Sequence, residues 1–217
     1  MNIPILFADP HFVVLNKPAG LPVHSGPSGG ASVEDCFAGL SRRKDGPWLV
    51  HRLDSETAGC LLVALRKQPL LAAQAAFAAG LVRKTYWAVV CGGPTEESGV
   101  IDAPVAKHIT RERWRMQVDP AGQSATTSWK VLGRSDTHTW LALSPLSGRT
   151  HQIRVHCAHL GWPILGDTLY GEAGPGLHLL ARGLEVPLEK PISAIAPPPI
   201  AMQEALRACG WVSRGKS

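Results

Sequence analysis

The 217-residue sequence contains no apolar run approaching the ~20 residues needed to cross a bilayer, and Met1-Asn2-Ile3-Pro4-Ile5 has neither the basic segment nor the long apolar stretch of an export signal. A membrane protein and a secreted protein are therefore not expected. Cysteine is sparse: residues 36, 60, 91, 157 and 209 never approach C-x-x-C spacing, which excludes a thiolate zinc site. The odd count and apolar surroundings predict reduced, mostly buried thiols and a cytoplasmic address. The glycines at 26, 29 and 30 lack the lysine of a phosphate-binding loop, and no G-x-S-x-G elbow accompanies His24-Ser25-Gly26, so neither a nucleotide-binding enzyme nor a serine hydrolase is favoured. Tyrosine is scarce as well. With only two in the chain, one that falls inside a motif carries weight.

What is present is a sequence that can fold and that favours an anionic partner. Hydrophobic residues make up 45% of it, enough for a substantial core, and 22 Lys and Arg against 17 Asp and Glu give a formal net charge of +5. No internal repeat or break in composition divides it, so one domain over 1–217 is expected. Two short strands are predicted around Asp9-Pro10, then a long Gly/Pro/Ser-rich loop from Pro18 to Gly30. A helix is predicted over 68–79, with Gly80 at its C-terminal cap, followed by a strand over 81–90. Further strands are predicted near 100–105, 112–118, 123–133, 138–144 and 177–186. Thr150 can cap a helix carrying Ile153, Cys157 and Leu160 on one face, with Arg154 in its first turn, and a last short helix is predicted over 200–209. This is an α+β class, a largely antiparallel sheet with a few packed helices.

The most informative stretch is His51-Arg52-Leu53-Asp54-Ser55-Glu56-Thr57-Ala58-Gly59. Alternation from Leu49 to Asp54 predicts a strand that puts Arg52 and Asp54 on one face, and the apolar run Cys60 to Leu65 predicts a strand buried on both faces behind the turn. A carboxylate at such a turn suits nucleophilic or acid-base chemistry. A turn-capping aspartate is the plain structural alternative.

The stretch resembles the H-R-L-D-x-x-T-S-G signature of RluA-type pseudouridine synthases, with Ala58 in place of serine. Asn16-Lys17-Pro18-Ala19-Gly20-Leu21-Pro22-Val23-His24 is similar to that family's opening loop, and Lys84-Thr85-Tyr86-Trp87-Ala88 to its K-x-Y-x-A motif. Ser147-Gly148-Arg149-Thr150-His151-Gln152-Ile153-Arg154-Val155-His156, with Gly161 to Asp167, is similar to its C-terminal signature. A second departure lies at Leu179-Leu180-Ala181, where the family often has Leu-His-Ala. The resemblance covers residues 5 to about 190. It implies the pseudouridine synthase fold, a mixed sheet with flanking helices and a central catalytic cleft, and an enzyme that isomerises uridines in structured ribosomal or transfer RNA.

On that resemblance Asp54 is the catalytic carboxylate, Tyr86 stacks on the base, and Arg154 is the arginine that holds Asp54 ionised. His51, Arg52, Arg149 and Leu179 are expected around the substrate, with Arg149 supporting its loop or touching backbone and Leu179 against the base. Only four residues precede Ile5, so no accessory RNA-binding domain is expected in front of the catalytic domain. RNA contact is then expected from the catalytic domain itself, for which Arg111, Arg113 and Arg115, with Trp114 on the opposite face, and Arg42-Arg43-Lys44 are candidates. RNA is the expected partner, with no DNA, no membrane and a monomeric state. No cofactor is expected, because the isomerisation is redox-neutral, and no metal, because His151, His156 and His159 lack an accompanying carboxylate. The alternative on the same scaffold is a non-catalytic RNA-binding or RNA-folding protein.

Overall fold

The computed structural model describes residues 2–26, 29–41, 45–109 and 114–213. Strands β1 (Ile5–Ala8) and β2 (Phe12–Lys17) precede a 3-10 turn that runs into the short α1 (Phe37–Leu40). Then come β3 (Trp48–Leu49), β4 (Ala58–Ala64), α2 (Lys67–Ala78) and β5 (Arg83–Cys91). Next are β6 (Ser98–Asp102), β7 (Val105–Ile109), β8 (Trp114–Val118), β9 (Thr126–Arg134), β10 (His138–Pro145) and α3 (Gln152–His159). The last described elements are β11 (Leu179–Val186), β12 (Ile192–Ile195) and α4 (Ile200–Ala208). The protein is α+β with mixed, mostly antiparallel pairing, as the sequence predicts. It divides into two compact units, Met1–Thr85 with Leu180–Pro198, and Tyr86–Leu179 with Pro199–Ser217.

The first unit is built on β4. Every residue of this strand is buried, as its unbroken apolar run requires, and it pairs antiparallel with β2 and β3 and parallel with β11. Gly59 meets β11 so closely that a Cβ there would lie 2.2 Å from the Ala181 carbonyl oxygen, so only glycine fits. The β1–β2 turn is closed by Asp9, whose Oδ1 accepts the His11 and Phe12 N–H groups at 2.7 and 2.6 Å. Helix α2 tolerates Pro69 because it sits in the first turn, where its missing N–H costs nothing. The helix buries Leu70, Ala73 and Ala76 and ends before Gly80, whose φ of 69° matches the predicted cap.

In the second unit the strands run in the order β5-β10-β9-β6, all antiparallel. Tyr86, Ala88 and Val90 share the β5 face that packs on Leu141, Leu143, and Ile153 and Cys157 of α3, which is the face alternation predicts. Strands β7 and β8 form a separate hairpin that rests on α3 through Val105, Met116 and Val155.

Three local expectations are corrected. The strand predicted over Leu49–Asp54 ends at Leu49, for a reason that lies in His51. The residue capping α3 is His151 rather than Thr150. Leu160 does not complete the buried stripe of α3, since it is 39% exposed beyond the helix end.

Candidate active site

The Asp54 turn is held by three devices within the first unit. Strand β3 pairs with β4 through Trp48 and Leu49, and Val50 adds one more bond, its N–H donating to the Leu62 carbonyl at 3.1 Å. The next ladder position is taken by a side chain: Nε2 of His51 accepts the Leu62 N–H at 3.0 Å. An imidazole thus replaces the backbone carbonyl, which ends the strand and frees the chain to turn. The ring stacks on Phe77 of α2 with centroids 4.9 Å apart. Burial, aided by the Lys84 charge, pushes His51 down to about 4, so it is neutral and able to accept that bond.

Asp54 then opens a turn closed by the Thr57 N–H donating to the Asp54 carbonyl at 3.1 Å, with Leu53 and Thr57 buried on either side. Beneath it lies Lys17, at the end of β2 and fully buried. Its ammonium donates to the carbonyl oxygens of Pro18, Leu21 and Ser55 at 2.9, 2.7 and 2.7 Å, and Ser55 also accepts the Gly20 N–H at 2.9 Å. The lysine therefore ties the opening loop to the Asp54 turn. Burial lowers it to about 8, against the pull of the Glu56 and Asp54 carboxylates, which raises it. Arg52 is exposed beside the turn.

In the second unit Arg154 is the third residue of α3 and is 4% exposed. Its guanidinium forks onto Asp167, Nε to Oδ2 at 2.8 Å and Nη2 to Oδ1 at 2.7 Å. Asp167 has no exposure, and its Oδ1 also accepts the N–H groups of Leu169 and Tyr170 at 3.0 and 3.2 Å. This carboxylate fixes the plane of the arginine as a lone charge could not. Arg149 behaves differently: it is exposed, and its Nε donates to the Ser124 carbonyl at 3.2 Å. Gln152 braces the loop before the helix, accepting from Ser147 Oγ and the Arg149 N–H while donating to the Thr126 carbonyl and Thr127 Oγ1.

His151 is the one described residue other than glycine with a positive φ, 52°, a conformation that costs about 1–2 kcal/mol. Its Nδ1 lies 2.8 Å from the Tyr170 hydroxyl and its ring stacks on Trp114. Histidine is among the residues that tolerate this region, and such strain is concentrated where function needs it. Tyr86 is half-buried on β5 opposite Leu143, and Leu179 is buried in the same core cluster. His156 has a structural occupation: it is buried, and its ring nitrogens lie 2.9 Å from Thr127 Oγ1 and from the Ala103 carbonyl. Among the described residues no group of three or more His, Cys, Asp or Glu side chains could hold a metal ion.

Arg115 pairs with His108 on the exposed hairpin face, with Trp114 on the other, as alternation predicts. Arg111, Arg113 and Arg42-Arg43-Lys44 lie outside the described residues. Reasoning from the sequence alone missed Lys17, Gln152, Asp167 and Tyr170. The first three stand inside the quoted motifs, but nothing in spacing says that a lysine is buried or that an aspartate thirteen residues past an arginine will meet it.

A family model described as RNA pseudouridylate synthase matches residues 11–159, which takes in parts of both units. An uncharacterized RNA pseudouridine synthase of Zymomonas mobilis is 40% identical over 209 residues, covering 92% of this chain and 95% of that protein. Ribosomal large subunit pseudouridine synthase C of Vibrio parahaemolyticus is 37% identical over 168 residues, 77% of this chain and 53% of that protein. Among solved structures, human RNA pseudouridylate synthase domain containing 4 superposes with a TM-score of 0.80 at 28% identity, covering 94% of this chain and 92% of that one. The class is that of RNA-modifying isomerases. The chain belongs to the RluA-type RNA pseudouridine synthases.

Proposed function

We propose that the protein converts specific uridines of structured RNA, ribosomal or transfer, into pseudouridine, with Asp54 as the catalytic carboxylate. The reaction detaches the base from C1′, rotates it and rejoins it through C5, so the C5 hydrogen leaves as a proton. Asp54 is the group that acts at the sugar or base as nucleophile or proton acceptor. Tyr86 offers a ring for stacking the base, and Arg154 serves as the arginine that keeps the carboxylate ionised. Arg52 replaces or steadies the extruded nucleotide, because a stacked uracil must be flipped out before its ring can turn. Arg149 supports the loop before α3 and Leu179 packs towards the base. His51 acts by ending the strand that leads into the turn.

The observation that carries this reading is the anchoring of the Asp54 turn by Lys17, His51 and β4, a rigid mount of the kind preorganised catalysis needs. The ribosomal names of relatives favour ribosomal RNA among the substrates. The two units are proposed to serve as one catalytic domain, since the family match runs through both. A cytoplasmic monomer is the proposed working form; among the described residues no helix is long and apolar enough to cross a membrane. Pseudouridine mapping in total RNA from cells with and without the gene tests the proposal. One or more uridines should lose their modification in the deletion and regain it with wild-type protein but not with Asp54→Asn; identical maps would refute it.

A further inference from the structure

Tyr170 links Arg154 to Asp167, His151 and the β7–β8 hairpin. Its backbone N–H donates to Asp167 Oδ1, the same oxygen that receives Arg154 Nη2, and its ring lies 5.3 Å from the guanidinium carbon. Its hydroxyl accepts the N–H of Met116 in the β7–β8 hairpin at 3.1 Å and sits 2.8 Å from His151 Nδ1. On its other side the His151 ring stacks on Trp114 of the same hairpin, with centroids 5.5 Å apart and planes inclined by 24°. The hairpin therefore reaches the first turn of α3 by two routes, a hydrogen bond at Met116 and a stack at Trp114. Both converge on the residue held in the left-handed conformation three positions before Arg154.

The outer end of this chain is open. Trp114 is 46% exposed with the Lys107 ammonium 4.8 Å from its ring centroid, and Arg115 is exposed on the opposite hairpin face. An exposed aromatic ring beside cations is what an RNA base and its phosphates engage. Strand pairing makes Trp114 and Met116 move together, since both lie on β8 against Ile109 and Lys107.

We propose that Tyr170 and Trp114 are positioning residues that couple the β7–β8 hairpin to Arg154, so that the reaction step depends on where RNA sets the hairpin. This rests on the reading of Arg154 as the partner of the catalytic carboxylate. A double-mutant cycle measures that coupling.

The test uses the full chain and total RNA, labelled with 5-tritiated uridine, from cells lacking the gene; tritium is released when the base rejoins through C5. Tyr170→Phe keeps the ring and removes the hydroxyl, and should lower kcat roughly tenfold, the worth of one well-made hydrogen bond, with KM and RNA affinity within about twofold. Trp114→Ala should lower kcat by a similar factor and also weaken RNA affinity several-fold, since its ring is the surface offered to a base, Trp114→Phe should recover most of both, and the double variant should lose less kcat than the product of the two single losses. Unchanged kcat in Tyr170→Phe, a loss confined to KM, or losses that multiply would overturn the coupling. Arg154→Lys is measured alongside. Wild-type turnover there would defeat the role of Arg154 itself, whereas an impaired Arg154→Lys beside an unaffected Tyr170→Phe would defeat only the coupling.

Discussion

Lys17→Met isolates what holds the Asp54 turn. Methionine keeps the apolar stem and much of the length but removes an ammonium that donates to the carbonyls of Pro18, Leu21 and Ser55 at 2.9, 2.7 and 2.7 Å. Bonds to a charged donor contribute about 1.5–3 kcal/mol each, and the cost of burying the charge, visible in the lowering of Lys17 to about 8, offsets part of that. Ser55 keeps the Gly20 N–H, so the other two carbonyls lose most. The net destabilisation should be about 2–4 kcal/mol, a fall in Tm of roughly 5–15 °C for a chain of this size. Turnover should fall as well at temperatures where the variant is folded. The pH dependence gives a second signature. Because the folded value lies below the ordinary lysine value of 10.5, the unfolded chain holds more protons above about pH 8, and wild-type stability gains from this group as pH rises through that window. The gap between wild type and variant should therefore widen from pH 8 to 10.5. Thermal unfolding followed by circular dichroism reads both effects, and a Tm within about 2 °C of wild type would refute the anchoring argument.

Three further outcomes are expected. Arg154→Lys retains the charge but cannot fork onto Asp167, so turnover should fall by roughly tenfold or more although the substitution looks conservative; a rate equal to wild type would remove Arg154 from the reaction. His51 is held neutral with a folded value of about 4 against an ordinary 6.5, so its contribution to stability should be lost as pH falls from about 6.5 through 4. Urea midpoints for wild type and His51→Leu should diverge in slope over that range, and coincident slopes would contradict the hydrogen bond to Leu62. Activity should persist after chelation, because the isomerisation needs neither redox nor Lewis-acid chemistry; loss restored by one specific metal would overturn that.

Regular elements were legible because periodicity encodes them. The apolar run after Gly59 reads as a strand buried on both faces, and the alanine-rich stretch before Gly80 reads as a helix. Two of the three local failures arise at a histidine whose ring is held by partners distant in sequence. Alternation continues through Leu49–Asp54 on paper, yet the His51 imidazole completes the β4 ladder and ends the strand at Leu49. Thr150 looks the better cap by residue type, yet His151 adopts the left-handed conformation because Tyr170 and Trp114 support its ring from distant segments. Long-range partners explain the site residues that were missed. Lys17 has the composition of a surface lysine, and only the fold shows three carbonyls converging on it. The arginine motif was legible, but its carboxylate partner Asp167 was not, since a bidentate pair across a helix and a turn leaves no periodic trace.

The central claim is that the Asp54 carboxylate performs the chemistry, and Asp54→Asn tests it most directly. The amide matches the carboxylate in size, so Tm should stay within a few degrees of wild type and RNA affinity within about threefold. Tritium release from 5-tritiated uridine in the RNA should nevertheless fall by at least roughly a thousandfold, because an amide is neither base nor nucleophile. Near-normal release by a folded, RNA-binding Asp54→Asn protein would contradict the account.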